Sequence, residues 1–320
     1  MKNNIQIAHN VIDLQIKALK KLKNTVDKSF NEATKAIIKC KSKVIVCGVG
    51  KSGKIASKIS STLSSVGSPS FSISANDCSH GDLGKITNQD ILILLSYSGN
   101  STELNDLIKY AKQNKIKIIA IVSNKDSYLY KSANVKLLIP QVEESGLGIV
   151  PTSSTTVQLC LGDALSISAM IQKKFNKLDF KKFHPGGNLA NKLKTASDVM
   201  LIKKRIPFVN ENEIMQNALK TLNSKKLGFL VITNDDGLST GVFTDGDLKR
   251  LIQKRKKINN LKISQFMSKK PYNVAEDTLA SEVLKLMNKN KITNVGVFNK
   301  KNKRKIIGVI HIHNLIKLSK

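Results

Sequence analysis

Tryptophan is absent from this 320-residue chain, and arginine occurs four times, at 205, 250, 255 and 304, among 53 basic residues. Acidic residues number 23, which leaves a formal charge of +30. Such a charge ordinarily points to nucleic acid or an anionic membrane. A nucleic-acid face, however, concentrates arginine and interleaves it with aromatic rings. Here the cations are lysines dispersed among Asn and Ile, the pattern of an AT-rich coding bias. A general attraction for anionic substrates is expected, and specific nucleic-acid binding is not. Cysteine is also sparse. Cys40, Cys47, Cys78 and Cys160 contain no C-x-x-C pair, which argues against a zinc knuckle or a disulfide framework. Each is expected to act as a small buried hydrophobe, with Cys78 set apart because it falls in a polar loop. No apolar run reaches the roughly eighteen residues of a membrane span. The opening MKNNIQIAHN lacks the apolar core and small-residue cleavage site of a secretory signal. A cytoplasmic location is expected.

What is present is a change of period. Residues 5–40 carry apolar positions at helical spacing (Leu14, Leu19, Leu22, Val26, Phe30, Ala33, Ile37) and read as one or two amphipathic helices. From residue 43 short β-branched runs take over: KVIVCGVG, SFSISA, DILILLSYSG, KIKIIAIVSN and VKLLIPQ. Helical segments at about 52–66, 101–114 and 126–133 separate them, which predicts a parallel sheet covered on both faces. A long helix follows Pro151, and His-Pro-Gly-Gly breaks the pattern after it. The remainder repeats. DVM at 198–200 returns as QFM at 265–267, and TGVFTDGDLKRLI at 240–252 returns as IGVIHIHNLIKL at 307–318. Each repeat reads as a lead-in segment, a helix, two strands and a final helix. The expected divisions are a helical segment over 1–42 that belongs to the first domain, the domain proper over 43–195, and two modules over 196–258 and 259–320.

VIVCGVGKSG, residues 44–53, reads as strand, glycine-rich turn and helix. A triphosphate P-loop would need glycine at position 45, which is Ile45 inside the strand. Gly48, Gly50 and Gly53 fit the dinucleotide fingerprint, and Asp77 stands near the end of the second strand. Lys51, however, occupies a turn position where backbone should approach a pyrophosphate unobstructed. The third strand decides between the readings. It ends in SYSGNSTE, where Ser96, Ser98, Ser101 and Thr102 surround Gly99 and lead into a helix. Hydroxyls and free N–H groups at such a strand end form a site for one phosphate monoester. Glu103 projects from the first helical turn beyond it. Simple helix capping also accounts for these serines.

The pattern S-x-S-G-x-[ST]-x-E resembles the sugar isomerase (SIS) domain. The set GVGKSGKIASKI, SHGDLG, SYSGNSTEL, GLGIVPTSSTT, GDAL and HPGGNLANKL is similar, in order and along the whole chain, to the arabinose-5-phosphate isomerase family. The repeat resembles a tandem of cystathionine-β-synthase (CBS) modules, with Gly241 to Asp247 as its most specific signature. The resemblance implies an α/β fold: a five-stranded, flavodoxin-like, three-layer αβα SIS domain followed by a CBS pair. It implies interconversion of D-ribulose 5-phosphate and D-arabinose 5-phosphate through an enediol, supplying Kdo for lipopolysaccharide. No cofactor is required, and no metal is expected, since Ser74 stands where relatives often have a second histidine six residues before His80. A homo-oligomer, a tetramer, is implied.

The motif matches carry Lys51, Glu103, Glu143 and His184 over as catalytic residues. Lys51 suits anionic charge on phosphate or enediolate, and Glu103 suits proton transfer. Glu143 is chosen over Glu144 by its distance from Gly148-x-x-Pro151, although Val142 replaces the family's basic residue before it. His184 suits ring opening or proton relay, its ordinary pKa lying near neutrality. His80 and the Gly67-Ser68 loop match substrate contacts, beside Ser96, Ser98, Gly99, Ser101 and Thr102. Thr244 and Asp247 match ribose contacts of a regulatory adenine nucleotide, while the second module carries His311 and Asn314 at those places. Two alternatives stand beside this reading: an SIS isomerase of another phosphosugar, and a non-catalytic phosphosugar sensor. A buried structural role for His184 and an oligomerisation role for the repeats also remain open.

Overall fold

Strands that are apolar on both faces form the middle of a sheet, because helices must cover both sides. In the computed structural model, which describes residues 3–186, 193–254 and 258–316, β1 (Val44–Gly48) is buried at every position. So is β3 (Ile91–Leu95), and β4 (Lys117–Val122) is buried after its first residue. The edge strands β2 (Ser70–Ser74) and β5 (Val135–Leu138) carry exposed or half-exposed positions. Five parallel strands run in the order β2-β1-β3-β4-β5.

The helices of the first unit are α1 (Asn4–Thr25), α2 (Lys28–Lys39), α3 (Lys51–Ser65), α4 (Ala75–Cys78), α5 (Asn105–Gln113), α6 (Tyr128–Ser132), α7 (Ser153–Gln172) and α8 (Lys177–Phe183). Alternation along the strands sends Val44, Val46, Ile91, Ile93, Leu95, Ile119 and Ile121 to a core shared with α1, α2, α3 and α7. Ile45, Cys47, Leu92, Leu94, Ile118 and Ala120 face the other way, toward α4, α5 and α6. This is the three-layer arrangement implied by the resemblance. The short α4 and α8 were not expected from periodicity; at four and seven residues they span too little chain to show it.

Strand order reverses between β1 and β3, whose ends pair Gly48 with Leu95. In open parallel sheets, ligands bind beyond the carboxyl ends of the strands at this switch point. The turn after β1 and the turn after β3 therefore open side by side. α7 runs parallel to α3: Ser52 meets Gln158 near one end, Lys58 pairs with Asp163, and Lys173 reaches Gly67 at the other. Both helices thus begin at the carboxyl end of the sheet.

The chain divides into two compact units, Met1–Phe183 and His184–Lys320. The second unit holds two three-stranded sheets, β6-β7-β8 (Phe208–Asn210, Phe229–Thr233, Ser239–Thr244) and β9-β10-β11 (Asn273–Ala275, Asn294–Asn299, Asn302–His311). In each, the first strand is parallel and the last antiparallel to the middle one. Each repeat thus holds three strands where the sequence pattern predicts two; the first strand, three residues long in both copies, is too short to show alternation. The halves interlock reciprocally. Met200 packs over Gly308 and Met267 over Gly241, leaving no room for a Cβ at either glycine. Bridges Leu201↔Val309 and Val242↔Ser268 repeat the exchange. Most of the HPGGNLANKL motif, residues 187–192, lies outside the described residues.

Candidate active site

The glycines after β1 serve helix–strand packing. A Cβ on Gly48 would stand 2.8 Å from the Ser52 carbonyl, and one on Gly53 would stand 2.8 Å from the Gly48 carbonyl oxygen. With both absent, α3 begins hard against β1 and no side chain caps it. Lys51 is its first residue and is exposed. Ser52 Oγ, the next hydroxyl, donates to Oε1 of the fully buried Gln158 on α7 at 3.1 Å.

The turn after β3 is held by its own hydroxyls. Ser96, buried, accepts from the Gly99 N–H at 3.0 Å and shares a hydrogen bond with Ser101 Oγ at 2.9 Å. Ser98 accepts from the Asn100 N–H at 3.3 Å. Ser98 and Thr102 are exposed and Ser101 is half-buried. Glu103 lies in a 3₁₀ turn (Thr102–Leu104) that leads into α5, with its carboxylate exposed and 3.5 Å from Thr102 Oγ1. From β2, α4 brings SHGDLG to the same end: Ser79 Oγ donates to Asp106 Oδ2 of α5 at 3.2 Å, and the exposed His80 is the next residue. Lys51, His80, the serine turn and Glu103 thus all follow carboxyl ends of strands β1, β2 and β3.

Gly67 and Ser68 do not join this crevice. They follow the last turn of α3, at the amino ends of the strands, and Lys173 Nζ donates to the Gly67 carbonyl at 3.1 Å and to Ser68 Oγ at 2.8 Å. Within one protomer they are therefore separate from Lys51, His80, the serine turn and Glu103. Ser68 is buried, and burial lowers the Lys173 pKa.

The adjacent glutamates differ in what they touch. Glu144 caps α7, accepting from the N–H groups of Thr152 at 2.7 Å, Ser153 at 2.8 Å and Ser154 at 3.2 Å. Burial opposes its charge, but hydrogen bonds from Ser154, Thr152 and Ser153 outweigh it and hold the carboxyl below its ordinary value of 4.5. A depressed carboxyl contributes stability above its unfolded pKa and loses it as pH falls through the folded one. Glu144→Ala should therefore cost ~0.5–2 kcal/mol at neutral pH, the scale of a lost N-cap. The gap to wild type should narrow as pH falls below 4.5, measured by urea unfolding across that range. Glu143 beside it is exposed, next to Lys17 and Lys21 of α1.

Burial pushes the Cys78 thiol up to about 11 and the Cys47 thiol to about 12, so neither is a thiolate at neutral pH. Cys78 is 1 % exposed, a core residue despite its polar surroundings in sequence, whereas Cys160 is exposed. His184 is the first residue of the second unit and is half-buried.

In that unit Thr244 and Asp247 cap each other across the start of the helix Asp245–Lys254. Thr244 Oγ1 and N–H donate to Asp247 Oδ2 at 2.7 and 2.9 Å, and Asp247 N–H donates to Thr244 Oγ1 at 3.2 Å. In the second copy His311 N–H donates to Asn314 Oδ1 at 3.1 Å, so asparagine keeps the acceptor that the turn needs. Thr244 and Asp247 line a cavity of about 580 Å³ with Lys226, Arg250, Lys291 and His311. No helix among the described residues is long and apolar enough to cross a membrane.

No sequence motif marks Tyr97, Gln158, Ser127 or the cap made by Glu144. Only the last had a local signal, a carboxylate shortly before a run of Ser and Thr that opens a helix.

A parallel sheet with a serine-rich turn, a lysine turn and a glutamate at its switch point is similar to a domain of the sugar isomerase class. The SIS domain family matches residues 37–168, and the CBS domain family matches 196–254 and 263–320. Arabinose 5-phosphate isomerase KdsD of Yersinia pestis is 37% identical over 314 residues, covering 98% of this chain and 95% of the relative. KdsD of Francisella tularensis is 37% identical, covering 99% and 98%. The solved structure of E. coli CFT073 c3406 in complex with arabinose 5-phosphate is 33% identical, with a TM-score of 0.55, and covers 57% of this chain and all of that one. The chain belongs to the arabinose 5-phosphate isomerase family.

Proposed function

We propose that the chain interconverts D-ribulose 5-phosphate and D-arabinose 5-phosphate. The observation that carries this reading is the serine turn at the switch point, followed within one turn of chain by an exposed carboxylate, in a protein similar over nearly its whole length to KdsD. The reaction moves one proton between C1 and C2 through an enediol, so it needs a proton carrier and a group that offsets the enediolate charge. The exposed Ser98 and Thr102 hydroxyls, Ser101 and the turn's free N–H groups hold the phosphate. Lys51 offsets anionic charge, and Glu103 carries the proton. Glu143 and His184 complete the set as acid–base groups, and His80 contacts the sugar. The chemistry calls for no redox cofactor.

The enzyme works in the cytoplasm as a homo-oligomer, a tetramer, and its product supplies Kdo for lipopolysaccharide. The cavity of the CBS pair takes a regulatory nucleotide: its lysines and Arg250 suit a phosphate, beside Thr244 and Asp247. The reaction is tested by incubating purified protein with ribulose 5-phosphate and following the sugar by NMR. Arabinose 5-phosphate is expected to accumulate to equilibrium. Its absence would sink the reading, and faster turnover of a different phosphosugar in a parallel panel would redirect it.

A further inference from the structure

Between β5 and α7, residues 139–144 have no regular secondary structure, yet their backbone is not loose. The Val142 N–H donates to Tyr97 Oη at 2.8 Å, and that hydroxyl lies 3.4 Å from the Val142 carbonyl, its own acceptor. Tyr97 is the middle residue of Ser96-Tyr97-Ser98, inside the turn assigned to the phosphate. Its own carbonyl accepts from Ser123 N–H at 3.0 Å and Ser123 Oγ at 2.7 Å. The ring packs on the same core as Val142. On the far side of Glu143, the Glu144 carboxylate is fixed on the α7 N–H groups. Glu143 is therefore anchored at both neighbours, while its own exposed carboxylate has no hydrogen bond or ion pair with any described residue. Its carboxylate is thus presented to solvent from a backbone fixed on both sides.

We propose that Tyr97 is a positioning residue: its hydroxyl ties the phosphate turn to the Glu143 loop and so sets where the Glu143 carboxylate stands relative to an anchored phosphosugar. The inference rests on the reading of Glu143 as an acid–base group. Phenylalanine would fill the same core space, so only the hydroxyl's reach to Val142 distinguishes tyrosine here. Misplacing an acid–base group by about an ångström can cost up to about 100-fold in rate.

Tyr97→Phe should lower kcat for ribulose 5-phosphate by about 10- to 100-fold while KM moves by less than about 2-fold. Amide exchange at Val142 should quicken by at least about 10-fold, with the core strands β1 and β3 unchanged. In a Glu143→Gln background, Tyr97→Phe should add less than about a further 2-fold, because the group it positions is gone. Unchanged exchange at Val142 overturns the proposal without reference to activity. Wild-type kcat in Tyr97→Phe beside an inactive Glu143→Gln overturns it and leaves Glu143 standing, as does a full multiplication of the two effects. Full activity in Glu143→Gln removes the role of Glu143 and the proposal with it.

Discussion

Glu103→Gln is expected to lower kcat by at least ~10²-fold, the scale of a lost general acid–base group. The fold should hardly respond. Glu103 is exposed, and its carboxylate makes only a 3.5 Å approach to Thr102 Oγ1 among the described residues. As a mere first-turn anion it would contribute only ~0.3–1 kcal/mol to helix stability. A proton carrier and a helix-stabilising charge therefore separate cleanly in one variant. The measurement pairs turnover of ribulose 5-phosphate with the urea midpoint. A large loss of stability with turnover per folded molecule intact would return Glu103 to a structural role.

Gly99→Ala is expected to be strongly destabilising. Gly99 has φ +73°, a region that costs other residues roughly 1–2 kcal/mol. Its Cβ would also overlap Ser127 Oγ and stand 2.5 Å from Ser127 Cβ. Ser127 is 1 % exposed, donates to the Asn124 carbonyl at 2.7 Å and accepts from the Tyr130 N–H at 3.3 Å, so it is not free to step aside. Overpacking adds roughly 1–3 kcal/mol, for a total of about 2–5 kcal/mol in urea unfolding. The surviving folded fraction should bind inorganic phosphate poorly, because the Ser98–Thr102 turn pivots on this residue. Adding Ser127→Gly should recover the steric part and leave the backbone part. A Gly99→Ala protein with wild-type stability would show that the turn adopts another path.

The sheet was legible because VIVCG, ILILL and IIAIV are apolar without alternation, which only a doubly covered strand allows. Glu103 and the serine turn were legible because they follow a strand directly, which puts them at its carboxyl end. Gly67 and Ser68 stand apart from that crevice within one protomer for the converse reason. A short motif carries no direction, whereas a loop that follows a helix in a βαβ unit lies at the amino end of the sheet, and α3 precedes these two. Applying that rule to the motif would have separated them. Glu143 and Glu144 differ by one position, and only three-dimensional proximity to the first turn of α7 tells which carboxylate is already engaged. The Tyr97 hydroxyl joins residues 45 apart in sequence, and no local pattern announces such a bond.

The reciprocal seating of Met200 on Gly308 and Met267 on Gly241 ties the integrity of each half to the other. Neither half supplies the cover for its own strand glycine. Opening one half therefore uncovers a strand of the other, and the two share one fate on unfolding. The letters of the two nucleotide-side turns differ, with His311 and Asn314 opposite Thr244 and Asp247, while this exchange of covers is kept in both directions.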